Sequence, residues 1–174
     1  MRKTVQACLL ILGLMAAVLL MMDSFSVVKT GTGNGATIQW DDNFERFCCE
    51  LAKGCSSDAE RVTVFRNWII QNISYDEESE VLFYQTFHVG KVMQSKKGVC
   101  FDYAGLFAAM CRSQGIPCYV LDGTYQGEPA FRHAWNRVFF DGQWWSLDTT
   151  RDHTARKERG SEYGVVPIGE DPFA

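Results

Sequence analysis

The chain has 174 residues, of which 47% are hydrophobic and 22% are charged, and its formal net charge is −4. This length and hydrophobicity suit one globular domain with a substantial core, and they exclude a disordered chain, which needs low hydrophobicity and high net charge. The acidic balance, with no Lys/Arg cluster, argues against nucleic acid as a partner, because phosphates favour a basic face.

Residues 1–26 have the layout of a secretory signal peptide. A short basic start precedes residues 7–22, which carry no charge, and Ser24 and Ser26 supply small residues at a cleavage site. An apolar run of this length is short for a bilayer, which needs about twenty residues. Cleavage is therefore favoured, and an uncleaved membrane anchor through residues 7–22 is the alternative. Either outcome places the rest of the chain outside the cytoplasm, secreted or membrane-anchored.

The next part of the chain is predicted to be a flexible lead-in followed by helices. Residues 27–40 are rich in Gly and Thr, and we assign the folded domain to residues 41–174. A first helix is expected to begin at Asp41–Asn43 and to end before Gly54, and a second is expected to follow the capping pair Ser57-Asp58.

The middle of the chain contains one further strong helix. Residues 82–97 show no clean period and are predicted to form a surface segment. The apolar positions of Phe101–Arg112 recur at helical spacing, and Gly115 followed by Pro117 is the order typical of a helix C-terminus.

Three strands are predicted after this helix, at Tyr119–Leu121, Arg132–Phe140 and Gln143–Thr150. The last two are joined by Asp141-Gly142, a strong signal for a two-residue hairpin turn. The tail over residues 151–174 is first polar and then Gly/Pro-rich, and it yields no prediction. Helices followed by strands favour an α+β fold.

The hairpin turn determines which residues face each other across the two strands. If Phe140 faces Gln143, then Asp148 is the diagonal neighbour of His133, with Cα atoms about 7–8 Å apart. Side chains of this length can close to a hydrogen bond, whereas a slip of one residue would send them to opposite faces. An imidazole held by a carboxylate is oriented, fixed in one tautomer and stabilised when charged.

Cys100 is the residue best placed for such an imidazole to act on. It stands at the start of the predicted helix, where the helix dipole favours a thiolate and the first-turn amides can bind an oxyanion. The spacing therefore predicts Cys100 as nucleophile, His133 as base and Asp148 as the orienting carboxylate. Each residue also has an ordinary structural alternative: a buried small thiol, a core or surface histidine, and a turn-forming aspartate.

These residues stand in segments that resemble the transglutaminase-like superfamily, over roughly half of the chain. The segments are Trp68–Asp76 (WIIQNISYD), Lys97–Leu106 (KGVCFDYAGL), Arg112–Pro117 (RSQGIP), His133–Trp135 (HAW) and Trp145–Thr149 (WSLDT). The resemblance implies a papain-like α+β fold in which the nucleophile helix packs on an antiparallel sheet. It also implies a catalytic triad at Cys100, His133 and Asp148.

Members of this superfamily attack amides through a thioester and pass the acyl group to water or to an amine. We therefore expect an exported thiol enzyme, and we favour hydrolysis of peptide or cell-wall-type amides, because water is abundant and cross-linking needs a second substrate site. A protein cross-linking transglutaminase is one alternative. A non-catalytic module that binds peptide or glycan on the same fold is another.

A few further residues complete the prediction. Trp135 and Trp144 share the face of the triad and are candidates for a substrate groove, whereas His153 is expected at the surface. Nothing in the spacing selects a second oxyanion donor between Gln85 and Gln94. We expect no cofactor and no metal site, because no cysteine pair has CxxC spacing and the three histidines are scattered. The pairing of the cysteines and the oligomeric state stay open.

Overall fold

The computed structural model describes residues 38–79, 87–124, 132–159 and 165–169, all of which belong to one unit, Thr32–Ala174. The predicted signal peptide and most of the predicted lead-in lie outside the described residues. The elements are β1 (Ile38–Gln39), α1 (Asp42–Leu51), α2 (Asp58–Asn72), β2 (Ser74–Tyr75), β3 (Phe87–His88), α3 (Val89–Ser95), β4 (Lys97–Gly98), α4 (Cys100–Ser113), β5 (Cys118–Thr124), β6 (Arg132–Phe140), β7 (Gln143–Leu147), α5 (Thr149–Arg159) and β8 (Val165–Gly169).

The first two helices begin where the sequence predicts, because each has a side-chain cap. Asp41 accepts a hydrogen bond from the backbone N–H of Phe44 at 2.8 Å, and Ser57 accepts one from that of Glu60 at 3.2 Å. Gly54 follows α1 with a φ of 90°, a left-handed conformation that favours glycine.

Helix α4 is the centre of the fold. Apart from half-buried Asp102, it is buried from Cys100 to Arg112, and it packs against α2 as well as against β5 and β6 of the main sheet. It is one residue longer at each end than the predicted Phe101–Arg112, and Gly115 follows it with a φ of 76°. The predicted packing of the nucleophile helix on an antiparallel sheet is therefore present.

Within the described residues, the main sheet has four antiparallel strands in the order β5-β6-β7-β8. Across the β6–β7 hairpin, Phe140 faces Gln143 and Asn136 faces Leu147, which is the register that the sequence predicts. Asp141 and Gly142 have φ values of 52° and 76°, as a type I′ turn requires.

The prediction of a strand as far as Thr150 is wrong. Strand β7 ends at Leu147, because Asp148 caps α5 and turns the chain into a helix. Neither α5 nor β8 was predicted, and β8 extends the sheet by pairing with β7. No helix of the described residues is long and apolar enough to cross a membrane.

The prediction of a surface segment over residues 82–97 is wrong for its described part. Helix α3 occupies Val89–Ser95, and both Val89 and Val92 are buried in the core. The ring of Phe87, just before α3, lies so close to Gly105 of α4 that a Cβ there would approach it to 2.8 Å. At the end of the predicted lead-in, β1 pairs in parallel with β3.

Candidate active site

Cys100 is the first residue of α4, and only 1% of its surface is exposed. The carbonyl of Val99 accepts the first helical hydrogen bonds, from the N–H groups of Asp102 and Tyr103, so the N–H of Cys100 lies ahead of the helical ladder. The Asp102 carboxylate accepts the N–H of Val99 at 2.9 Å and caps this end. Gly98 leaves space for the side chain of Asp102, because a Cβ at position 98 would lie 2.5 Å from the Asp102 Cβ.

His133 lies next to the end of the sheet at which Asp148 leaves β7. Its Nε2 is 2.6 Å from Asp148 Oδ2, and the two side chains are 19% and 17% exposed. The other oxygen of Asp148, Oδ1, accepts the N–H of Arg151 at 3.0 Å. The predicted neighbours are thus brought together, and the carboxylate orients the imidazole while it caps α5.

The environment of His133 favours its protonated form. Burial lowers its pKa, but the hydrogen bonds to Asp148 and Cys100, together with the charges of both groups, outweigh burial and raise the pKa to about 9. Near neutral pH the imidazole is therefore a cation held against the Asp148 carboxylate.

Tyr75 is a site residue that the sequence reasoning missed. Strand β2 pairs in parallel with β4, which sets Tyr75 opposite Gly98, and its ring lies 6.3 Å from that of Tyr103 on α4. The hydroxyl interacts with the backbone N–H of Cys100. Burial and the charge of Cys100 raise the pKa of Tyr75, so the phenol keeps its proton near neutral pH. The NISYD segment already carries the family resemblance, but no neighbouring residue in the sequence indicates that Tyr75 pairs with β4.

Two glutamines of the approach to Cys100 are the other candidates for the oxyanion site. Gln94 is exposed on α3, and Gln85 lies outside the described residues. Among the described side chains, that of Tyr75 interacts with the backbone of Cys100.

The two predicted groove tryptophans occupy different places. Trp135 lies beside His133, with ring centroids 6.3 Å apart and planes within 13° of parallel. Gly123 allows this, because a Cβ there would approach the Trp135 ring to 2.9 Å. Trp144 is buried toward the hairpin turn, where its ring stacks on Tyr119 at 5.0 Å. The position of β6 that faces Trp144 across the hairpin stands six residues from His133, a distance of about 20 Å along the strand.

Other sequence-based expectations can be compared with the same region. His153, which the sequence places at the surface, is half-buried: its Nδ1 is 3.1 Å from the carbonyl oxygen of Ile70, and its ring packs on Tyr103. The cysteines of the described part of the chain are all free thiols. Within that part, no group of three or more His, Cys, Asp or Glu side chains could hold a metal ion.

The geometry combines a buried thiol at a helix start, an imidazole paired with a carboxylate, and a backbone N–H beside the thiol. Together with the helix-on-sheet architecture, it defines a papain-like α+β protein. Residues 45–149 match the Transglutaminase-like superfamily, and the chain belongs to this superfamily. The family and fold class predicted from the sequence are thereby confirmed.

Similar proteins include two curated relatives and several solved structures. The chain is 34% identical over 113 residues to kyphoscoliosis peptidase of Mus musculus and 33% identical over 113 residues to that of Homo sapiens. Each match covers 58% of this chain but only 17% of the relative, so the chain spans less than a fifth of the length of these proteins.

Two solved structures share the fold at low identity. The periplasmic domain of TgpA from Pseudomonas aeruginosa has a TM-score of 0.54 and 23% identity, over 70% of this chain and 47% of that one. A provisionally assigned cysteine protease from Cytophaga hutchinsonii has a TM-score of 0.54 and 23% identity, over 74% of this chain and 41% of that one.

Proposed function

We propose that the protein is an exported thiol enzyme that hydrolyses amide bonds, with Cys100 as nucleophile, His133 as acid and base, and Asp148 as orienting carboxylate. The observation that carries the proposal is the 2.6 Å contact between His133 Nε2 and Asp148 Oδ2, together with the interaction of His133 with Cys100. Export is supported by the signal-like residues 1–26 and by the periplasmic location of the TgpA domain.

The first half of the reaction forms the thioester. The Cys100 thiolate, paired with protonated His133, attacks the amide carbonyl carbon, and the carbonyl electron pair moves onto oxygen. When the resulting tetrahedral intermediate collapses, the C–N bond breaks and the leaving nitrogen takes the proton from His133 Nδ1. The products are an acyl-enzyme and a free amine.

The second half regenerates the enzyme. Neutral His133 takes a proton from a water molecule, whose oxygen attacks the thioester carbonyl, and a second tetrahedral intermediate expels the Cys100 thiolate. Asp148 stays ionised throughout and stabilises the imidazolium each time it forms. The carboxylic acid leaves, and the thiolate–imidazolium pair is restored.

The oxyanion of both intermediates needs donors, and two are close to Cys100. One is its own backbone N–H, which lies ahead of the helical ladder. The other is the hydroxyl of Tyr75, which interacts with that N–H when no substrate is bound. Tyr75 is 37% exposed, so its ring has room to shift as the oxyanion enters. Its raised pKa keeps the O–H proton available for donation.

Alkylation of Cys100 by iodoacetamide separates an enzyme from a binding module. We expect Cys100 to react near neutral pH faster than exposed Cys49, which serves as the internal reference thiol, with both sites quantified by mass spectrometry. His133→Ala should slow the labelling of Cys100, whereas the matched control, His88→Ala at an exposed position, should leave it unchanged. Labelling of Cys100 at the rate of Cys49, insensitive to His133, would instead favour a non-catalytic module.

A protein substrate then distinguishes hydrolysis from acyl transfer. Incubation with casein, with and without a primary amine of low molecular mass, should release peptides or ammonia without incorporating the amine. Efficient incorporation would favour a cross-linking transglutaminase. Cys100→Ala should abolish either activity and leave the fold intact, and robust activity in that variant would refute the proposed mechanism.

A further inference from the structure

The position of Asp148 depends on the helix that it caps. Its Oδ1 accepts the N–H of Arg151, and its carbonyl oxygen accepts the N–H of Asp152, both at 3.0 Å. The carboxylate therefore moves with the first turn of α5. Because Oδ2 of the same carboxylate meets His133, the position of this turn determines whether the 2.6 Å contact forms.

A buried ion pair joins that turn to α2. Arg66 Nε donates a hydrogen bond to Asp152 Oδ2 at 2.6 Å, and the two side chains are 7% and 0% exposed. The next residue, His153, has its Nδ1 3.1 Å from the carbonyl oxygen of Ile70, so α5 contacts α2 at two successive residues. These residues lie about one helical turn from Asp148.

Helix α2 is also connected to the thiol side of the site. At its C-terminal end, the carbonyl oxygen of Ile73 accepts a hydrogen bond from the hydroxyl of Tyr103 on α4 at 2.7 Å. Two residues later, β2 carries Tyr75 beside Cys100. One helix therefore holds both the element that carries the carboxylate and the element that carries the thiol.

We infer that Arg66 and Asp152 are positioning residues, whose ion pair sets where α5 holds Asp148 and thereby orients His133 toward Cys100. The inference rests on the proposed function, because it assigns the pair a role only if these three residues react. A buried ion pair is weak support for stability as such, since an apolar pair of similar volume often serves equally well. The ion pair instead fixes the position of α5 along α2, because a short N–H···O bond weakens steeply when its distance or angle changes.

The double variant Arg66→Met/Asp152→Leu tests this inference by replacing the ion pair with apolar side chains of similar size. We expect a folded protein in which iodoacetamide labels Cys100 about ten-fold more slowly near neutral pH. The high-pH transition of the labelling rate reports loss of the His133 proton. It should shift to a lower pH, by about one pH unit or more. A purely structural role would lower the melting temperature and leave the pH–rate profile of labelling unmoved.

The matched control is Arg61→Met on the same helix. It removes an ion pair with Asp58 at 2.8 Å whose side chains are 36% and 45% exposed, and it should change neither the rate nor the profile. A folded double variant with the wild-type rate and profile would overturn the inference.

A second variant keeps the test decisive if the double variant does not fold. Asp152→Asn keeps the side-chain volume and an oxygen that accepts from Arg66. We expect the high-pH transition of the labelling rate to shift to a lower pH in this variant too, by a smaller amount. An unmoved transition in folded Asp152→Asn overturns the inference. Failure of the proposed function is recognised separately, since His133→Ala would then label like the wild type.

Discussion

Replacing Asp148 by Asn separates the charge of this carboxylate from its place in the fold. Asn caps helices as well as Asp does, so the N–H of Arg151 keeps an acceptor and α5 keeps its cap. The amide is neutral, however, so the 2.6 Å contact with the protonated ring of His133 loses its charge-assisted character. The fold should persist while the electrostatics of the site change.

The size of the effect follows from the pKa of His133. It stands at about 9 although burial pushes it down from the ordinary 6.5. Without the charge of Asp148, burial is opposed only by the contact with Cys100, and we expect the pKa of His133 to fall by about two units. That fall corresponds to about 3 kcal/mol less stabilisation of the imidazolium.

Two measurements check this expectation. Proton NMR follows the titration of the His133 ring directly, and the pH dependence of Cys100 alkylation follows its effect on the thiol. Asp141→Asn, at the exposed turn of the hairpin that carries His133, is the matched control and should change neither. The reasoning is refuted if His133 titrates in Asp148→Asn as it does in the wild type.

Tyr75→Phe should lower turnover by about 10²–10³-fold, because one oxyanion donor is lost, and leave iodoacetamide labelling of Cys100 unchanged, because alkylation forms no oxyanion. Gly98→Ala should lower the free energy of unfolding in urea by about 1–3 kcal/mol, because the new Cβ would lie 2.5 Å from that of Asp102. His133 binds its proton more tightly in the folded protein than in the unfolded chain. Its contribution to stability is therefore complete below about pH 6.5 and lost as the pH rises through about 9, which should appear as a falling urea midpoint.

Each of these outcomes can be contradicted. Full turnover in Tyr75→Phe would remove this residue from the oxyanion site, and a parallel loss of labelling would point to a general loosening of the fold instead. Wild-type stability in Gly98→Ala would mean that Asp102 can cap α4 from another position. If His133→Gln shows the same decline of the urea midpoint between pH 6.5 and 9, the pH dependence does not come from this histidine.

The hairpin shows what local sequence signals are able to predict. A two-residue Asp-Gly turn permits one register, and side chains alternate along strands, so the turn predicts the pairing of β6 with β7 up to Leu147 and thereby brings Asp148 to the end of the sheet near His133. The contact itself also depends on α5, which Asp148 caps. The caps at Asp41 and Ser57 are equally local, because the acceptor and donor lie three residues apart. Where one short-range interaction determines the geometry, prediction succeeded.

Helix α5 was missed because its inward face is polar. Asp152 and His153 point toward α2 and are held there by Arg66 and by the carbonyl of Ile70, so no apolar stripe indicates a buried helix. Only the three-dimensional arrangement shows that these polar groups have partners 83 and 86 residues away.

Tyr75 was missed for a different reason. It reaches Cys100 through a parallel pairing of two-residue strands, and such short strands have no period that a sequence pattern could reveal. The short helix α3 escaped prediction similarly, since seven residues with two buried valines do not establish a helical repeat.

Asn136 joins the helix that begins at Cys100 to the main sheet through a group that carries no charge. Its wholly buried side chain donates from Nδ2 to the carbonyl oxygens of Ala104 at 2.9 Å and of Tyr119 at 3.1 Å, so it links the central helix to two strands. Ala104 lies one turn beyond Cys100, and Asn136 lies three residues beyond His133. A carboxamide does not titrate, so a change of pH does not alter the charge of this side chain. The two hydrogen bonds that join the helix of Cys100 to the sheet therefore persist when the pH changes the charge of His133.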